Sequence, residues 1–411
     1  MLLGFIPPDI WNGLLTAFGY LYITMPIWLP AVFLVALFDA WLYYKRVKFW
    51  QKEDSVLLEI KLPREIMKSP LAMEVIFGSF FQGGGEATWI DRIWKGQTRP
   101  WFSLEIVSIG GNVRFFIWTR LKHRSILESQ IYSQYPGVEI YEAEDYTKPF
   151  YYNQNINNIW ACEFALIKSN PFPIKTYIDY GLDKDPKEEF KIDPMTPMIE
   201  FLGSMTAGHN VWFQIIIRAH KKKRLFDVFG EEEDSWINEA KVEKDKIIEE
   251  LKTAKEGGFP RIPSKGEADV IAAIERSISK TPFDCGIRGI YIADKDKYNP
   301  ANIGGVTGCL KQYGSENLNG FKPKGWSTIF NYPWKKWGGK EEKLKPRVLE
   351  EYKLRRFFYS PWRGRKFYSK PFILNAEELA TIYHFPGSVA STPTFERIPS
   401  LKSKAPPNLP I

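Results

Sequence analysis

Between Ile10 and Phe38 the chain carries no charged residue. No other feature limits its possible folds so strongly, because about 20 mostly apolar residues already suffice to cross the hydrocarbon core of a bilayer. The apolar run continues to Tyr44, with Asp39 its single charge, and stops at Lys45, Arg46 and Lys48. Pro26 and Pro30 each remove a backbone donor, which bends or starts a helix. The best continuous span is therefore Met25 to Tyr44, with Ile10 to Tyr22 as an interfacial or tilted extension. Trp28, Trp41, Tyr43 and Tyr44 stand near the ends of the span, where amphipathic rings suit the headgroup layer. No cationic stretch precedes the run and no small-residue cleavage site follows it, so it reads as a retained anchor. The positive C-terminal flank predicts a single pass through the cell membrane with the body in the cytoplasm.

The remaining chain is long enough for two soluble domains. From 55 to 145 the order is strand, helix, strand, strand, helix, strand. Val56 to Leu62 is β-prone, Ser69-Pro70 opens a helix, and Gly110-Gly-Asn112 turns one β-rich run into the next. Ser125 to Tyr135 is a short helix and Val138 to Tyr141 a last strand. This is the split βαβ, or ferredoxin-like, pattern. From 157 to 332 the same order returns with a helical insertion between the middle strands, and Thr196-Pro197 stands where Ser69-Pro70 stood. The expected fold class is α+β: a membrane anchor over 1–50, ferredoxin-like units over 55–145 and 157–332, and an irregular basic, proline-rich segment over 333–411.

Few chemistries fit the residues present. Cys162, Cys285 and Cys309 form no close pair, and His123, His209, His220 and His384 have no metal-ligand spacing to Cys, Asp or Glu. Gly304-Gly-Val-Thr-Gly308 and Gly338-Gly-Lys340 lack the glycine and lysine spacing of a phosphate-cradling loop. No cofactor, metal site or catalytic residue is expected, and the chain reads as a non-enzyme. His384 reads first as a helix-end histidine packed on the body.

The net charge of +8 is concentrated locally. Lys322 to Lys370 holds fifteen Lys or Arg against four Glu, a net of +11, so the rest of the chain sums to −3. Basic and aromatic residues alternate there, with Lys335, Lys336, Arg355, Arg356, Arg363, Arg365 and Lys366 as the cations. Single-stranded nucleic acid suits this pattern, through phosphate neutralisation and base stacking, and so do anionic lipid headgroups beside the anchor. A solvated segment pinned to the body by its aromatics is the plainer alternative.

The stretch Phe372-Ile-Leu-Asn-Ala-Glu-Glu-Leu-Ala-Thr-Ile-Tyr-His-Phe-Pro386, followed by Thr392-Pro393 and Ala405-Pro-Pro-Asn-Leu-Pro410, resembles the segment before the motor domain of membrane-linked DNA-pumping ATPases, the type IV secretion, conjugative-transfer and HerA-type family. Ser69-Pro-Leu-Ala-Met-Glu74 with Phe77 resembles the upstream region of such proteins. The chain departs from that family at Ile411, where the family's ATP-binding loop would begin, so ATPase activity is not carried over. The resemblance implies a non-enzymatic inner-membrane component that docks a separately encoded P-loop ATPase. Asn375 and Glu378 predict a capping box, and Leu379, Ile382 and Tyr383 share one helical face. These three, with His384 and Phe385, are the expected docking residues, unless the face packs on its own body. The rival reading is a membrane-tethered nucleic-acid- or anionic-lipid-binding protein without a motor partner. Either reading admits a homo-oligomer.

Overall fold

In the computed structural model, which describes residues 8–63, 68–82, 84–86, 88–183, 192–221, 223–224, 232–233, 235–253, 264–324, 340–359 and 370–387, the apolar run is one helix, α1 (Pro8–Gln51). Both prolines lie inside it, so the expected break near Pro26 does not occur. Each proline forfeits one i→i−4 hydrogen bond and its ring crowds the carbonyl four residues back, yet the helix runs through both. The most apolar 18-residue stretch of α1 has a mean hydropathy of 2.1, and none of that stretch is buried. It is long and apolar enough to cross a membrane.

The body is built on one nine-stranded antiparallel sheet. Its first half consists of β1 (Ser55–Lys61), α2 (Leu71–Phe80), α3 (Trp89–Ile93), β2 (Trp101–Ile109), β3 (Asn112–Arg120), α4 (Arg124–Gln134) and β4 (Glu139–Glu142). The second half begins with β5 (Asn157–Leu166), α5 (Thr196–Gly203) and β6 (His209–Ala219). A two-residue strand pair, β7 (Lys223–Arg224) and β8 (Glu232–Glu233), and two helices, α6 (Ser235–Thr253) and α7 (Lys265–Ile278), form the insertion. Then come β9 (Pro282–Asp294), α8 (Ala301–Gly308) and β10 (Phe321–Lys324). The strand order is β10-β5-β9-β6-β2-β3-β1-β4. The two halves meet edge to edge, β2 against β6, from Trp101↔Arg218 to Ile109↔Asn210.

The section after 332 departs from expectation. It supplies α9 (Lys340–Lys353), β11 (Phe372–Asn375) and α10 (Ala376–Ile382), and these are parts of the body. β11 pairs with β9 over Phe372↔Cys285 to Asn375↔Pro282, beside the length of β9 that β5 leaves free. Residues 388–411, the proline-rich tail, lie outside the described residues.

The central strands β2, β6 and β9 are buried along nearly their whole length, so the sheet is covered on both faces. On one face Phe102, Leu104 and Ile106 of β2 pack with Ile76 and Phe77 of α2 and Leu379 of α10 in the larger core. On the other face Trp101, Trp118, Trp212 and Ile290 pack with Trp50 of α1, Leu349 and Tyr352 of α9, and Phe357 and Tyr359. The cover of this second face is the C-terminal root of α1 together with residues 340–359.

Candidate functional site

One buried polar row crosses the middle of the second face of the sheet. Glu105 on β2 pairs in register with Gln214 on β6, Gln214 with Arg288 on β9, and Arg288 with Glu163 on β5. Four adjacent strands thus each place one polar side chain on the same line, which crosses the seam between the halves. All four are buried. Burying an ion or amide is costly unless its hydrogen-bonding groups find partners. Here the row bonds within itself and to residues 351–356, part of a strap (351–359) that runs across it, while Gln214 Oε1 has no partner among the described residues.

Arg355 is the fastener. Its Nε donates to Glu105 Oε1 at 2.8 Å and its Nη2 to Glu105 Oε2 at 3.2 Å. Its Nη1 reaches Asp145 Oδ2 at 2.7 Å and Nη2 reaches Asp145 Oδ1 at 3.1 Å. The planar fork therefore bridges two carboxylates bidentately, which a lysine cannot do. Glu105 is filled further by Ser103 Oγ at 2.6 Å, Tyr146 Oη at 2.8 Å and Gln214 Nε2 at 3.1 Å. Burial alone would lower the Arg355 pKa, but Glu105 and Asp145 more than reverse that and raise it. Burial raises the Asp145 pKa, and the Arg355 hydrogen bond and charge, with Thr147, overcome it and hold the carboxyl below its ordinary value. Arg355 has φ 50°, a left-handed conformation that costs a non-glycine residue about 1–2 kcal/mol and persists where surrounding contacts over-determine it.

Arg288 ties the strap at a second point. Its Nε donates to Glu163 Oε1 at 3.1 Å, Nη1 to the Glu351 carbonyl at 3.0 Å and Nη2 to the Arg356 carbonyl at 2.7 Å. Gln214 Nε2 donates to the Tyr352 carbonyl at 3.2 Å. The row thus holds backbone as well as side chains of the strap.

Beyond Arg355 the strap meets the root of α1. Trp50 is buried, donates from Nε1 to Thr98 Oγ1 at 3.0 Å, and packs edge-on against Trp101 at 5.8 Å. Arg356 lies over the Trp50 ring at 4.8 Å, and Arg46 over the Tyr359 ring at 5.0 Å. Tyr359 Oη donates to Glu86 Oε1 at 2.7 Å and accepts from the Arg99 backbone N–H at 3.0 Å. Arg120 Nη1 donates to the Glu53 carbonyl at 2.8 Å and lies over Trp101 at 4.9 Å. Gly96, at φ +67°, sits so close to the α1 backbone that a Cβ would come within 2.5 Å of the Lys45 carbonyl carbon. The helix root is keyed into the body.

These positions correct two expectations. Arg355 cannot meet an external phosphate, because its side chain is 2% exposed and spent on Glu105 and Asp145. Arg356 is half-buried over Trp50. Lys335, Lys336, Arg363, Arg365 and Lys366 lie outside the described residues. The docking residues Leu379, Ile382, Tyr383, His384 and Phe385 are all buried in their own chain. The expected capping box is present, with the Asn375 side chain accepting from Glu378 N and Glu378 Oε2 from Asn375 N. The apolar face it caps is core: Phe385 packs against Tyr135 at 4.9 Å and Phe115 at 5.9 Å. His384 Nε2 lies 3.2 Å from Asp193 Oδ2 and Nδ1 2.9 Å from the Ala380 carbonyl. Packing on the body is thus the outcome for this segment.

Among the described residues no group of three or more His, Cys, Asp or Glu could hold a metal ion. Cys162, Cys285 and Cys309 are buried, and burial raises all three thiol pKa values, that of Cys309 to about 12. A cleft of about 420 Å³ opens beside α7. Its guanidinium, Arg276, is tied to Asp179 and Glu377. Sequence reasoning missed Glu105, Gln214, Arg288 and Glu163. Their signal was one polar residue near the middle of each of four β-rich runs.

A family model described as a domain of unknown function (DUF8128) matches residues 88–397. The match starts at the cap of α3, takes in β2 through α10, and omits α1, β1 and α2. No curated protein matches the chain.

Proposed function

We propose that this chain, which belongs to the DUF8128 family, is a non-enzymatic, single-pass membrane component that holds a rigid body beside the bilayer for a partner to dock on. The observation that carries the reading is the keyed root of α1. Trp50 is inside the second core, and the strap that covers it is fastened to the sheet by Arg355 and Arg288. A freely swinging tether needs no such joint. The body lies on the cytoplasmic side in this reading, since Lys45, Arg46 and Lys48 follow the span. Each half is a ferredoxin-like unit: β4-β1-β3-β2 and β10-β5-β9-β6 are the same order, fourth-first-third-second, for strands separated by helices at the same places.

The partner in this reading is a separately encoded P-loop ATPase of a type IV secretion-like or DNA-transfer machine. Its support is the resemblance of Phe372 to Pro386 and of the following prolines. Since the α10 face is core, docking falls to 388–411. The test is purification of tagged full chain from detergent extract, with and without a deletion of Ser388 to Ile411. Co-purification of a P-loop ATPase by the full chain, lost with the deletion, is the expected result. Recovery of no ATPase by the full chain overturns the partner.

The charge concentrated between Lys322 and Lys370 favours a second reading, single-stranded nucleic acid or anionic lipid bound without a motor. With Arg355 committed internally, that reading rests on Lys335, Lys336, Arg363, Arg365 and Lys366. Replacing the arginines at 363 and 365 with alanine should then lower the salt slope of DNA binding by about 0.7 per lost phosphate contact.

A further inference from the structure

The body carries an exposed apolar surface at the level where α1 leaves its apolar run. Trp89, Ile90 and Trp94 of the α3 turn are 46%, 45% and 56% exposed. At about 100° per residue, Trp89, Ile90, Ile93 and Trp94 fall on one arc of the turn, and Asp91 and Arg92 on the other. The turn is held in shape by a capping box between Thr88 and Asp91, and Lys95 Nζ meets Asp91 Oδ1 at 2.8 Å. The Trp94 ring packs edge-on against Trp41 of α1 at 6.3 Å, and Lys45 Nζ lies over the Trp41 ring at 4.4 Å. Tyr44 is 55% exposed beside them. The α3 surface is therefore continuous with the aromatic end of the membrane-crossing candidate, at the position where lysines replace apolar residues.

The direction of the sheet agrees. Trp101, Arg218 and Asp284 lie at one end of β2, β6 and β9, and Ile109, Asn210 and Ile292 at the other. Trp101 touches Trp50, so the first end is the one facing the helix root. The second end is about 25–30 Å away at 3.2–3.4 Å per residue.

We infer that Trp89, Ile90 and Trp94, together with Trp41 and Tyr44, form a footing that inserts into the headgroup layer of the same bilayer α1 crosses. Tryptophan suits this depth, because its ring is apolar and its N–H polar. Two points of contact, the span and the footing, fix the tilt of the body, so that the Trp101 end of the sheet faces the lipid and the Ile109 end points away. The inference rests on the membrane-anchor reading.

The test uses full chain reconstituted in vesicles of phosphatidylcholine with a minority of phosphatidylglycerol, carrying a nitroxide at Ile90→Cys, Trp94→Cys or Asp296→Cys. The three native thiols are buried and do not compete for label, and all three labelled sites are exposed. Labels at 90 and 94 should collide several-fold less with a water-soluble nickel reagent, and more with oxygen, than the label at 296. Equal nickel access at all three sites, with the protein still retained by vesicles after an alkaline carbonate wash, overturns the footing alone. Release of the full chain by carbonate overturns the anchor reading and the footing with it.

Discussion

Removing the Arg355 guanidinium should destabilise the body more than any other single-side-chain change on the second face of the sheet. Glu105 is 0% exposed and Arg355 2%. Breaking a buried pair by deleting one partner costs about 3–5 kcal/mol, because the remaining charge is left uncompensated. Glu105 keeps donors from Ser103, Tyr146 and Gln214, which places Arg355→Ala near the lower end, about 3 kcal/mol. In a body of this size 1 kcal/mol moves Tm by roughly 2 °C, so the melting of detergent-solubilised full chain, followed by tryptophan fluorescence, should drop by roughly 6 °C. The backbone gives an internal control. Arg355→Gly loses the same contacts but relieves the left-handed φ of 50°, and should melt above Arg355→Ala by about 1 kcal/mol equivalent. Arg355→Lys keeps the charge, loses the fork, and should fall between Ala and the parent. The pH dependence has a definite sign. Asp145 is held below its ordinary pKa, so its contribution is present above the unfolded value of about 3.9 and fades as pH falls through the folded value. The gap between parent and Arg355→Ala should therefore be widest near neutrality and shrink in acid. Equal melting of parent and Arg355→Ala, or a gap that grows in acid, would refute this account of the strap.

Gly96→Ala should loosen the joint between helix and body, since φ is +67° and the new Cβ meets the α1 backbone at 2.5 Å. Limited proteolysis within 45–55 should become faster, and an unchanged cleavage pattern counts against a keyed root. Gly286→Ala drives a methyl to 2.4 Å from the Phe357 ring and should cost about 1–3 kcal/mol as an overpacked core, read as a lowered urea midpoint. Asp284 is subject to burial, which raises its pKa, and to His220, Arg218 and Arg99, which together lower it below the ordinary value. Its stabilisation is thus present above the unfolded value of about 3.9 and lost as pH falls through the lower folded value, and Asp284→Asn should differ from the parent at pH 7 but converge with it in acid unfolding curves.

The long apolar helix and most helices and strands as far as residue 324 were legible because each shows in local pattern, whereas the short helix α3 and the two-residue strands β7 and β8 were not expected. The uncharged run, the Gly-Gly-Asn turn before Val113 and the Ser or Thr before Pro70 and Pro197 are contiguous signals, although Ser69 makes no side-chain cap in the event. The polar row was not legible. Glu105, Gln214, Arg288 and Glu163 are far apart in sequence and become neighbours only through strand register, which a single strand does not encode. The strap was hidden for a related reason. Arg355 and Arg356 read as members of a basic run, whereas the carboxylates that neutralise Arg355 are 250 and 210 positions away. A warning was present in Val211 to Ile217, where Val211, Phe213, Ile215 and Ile217 alternate with Trp212, Gln214 and Ile216, so both faces are mostly apolar and a second cover had to come from elsewhere in the chain. The α10 face was legible as a buried face but not as to what buries it.

The sharing of Phe385 between distant parts of the chain bears on how the protein is made. Tyr135 and Phe115 lie in the core of the first half, yet the ring they close around comes from residue 385. The root of α1 likewise waits for Tyr359 and Arg356. At translation rates of about 5–20 residues per second, the ribosome needs roughly 10–50 s to travel from Tyr135 to Phe385. During that interval the nascent chain holds two open hydrophobic surfaces. Chaperone occupancy should therefore be high over this window, and a ribosome stalled before residue 370 should leave an incompletely closed, aggregation-prone product.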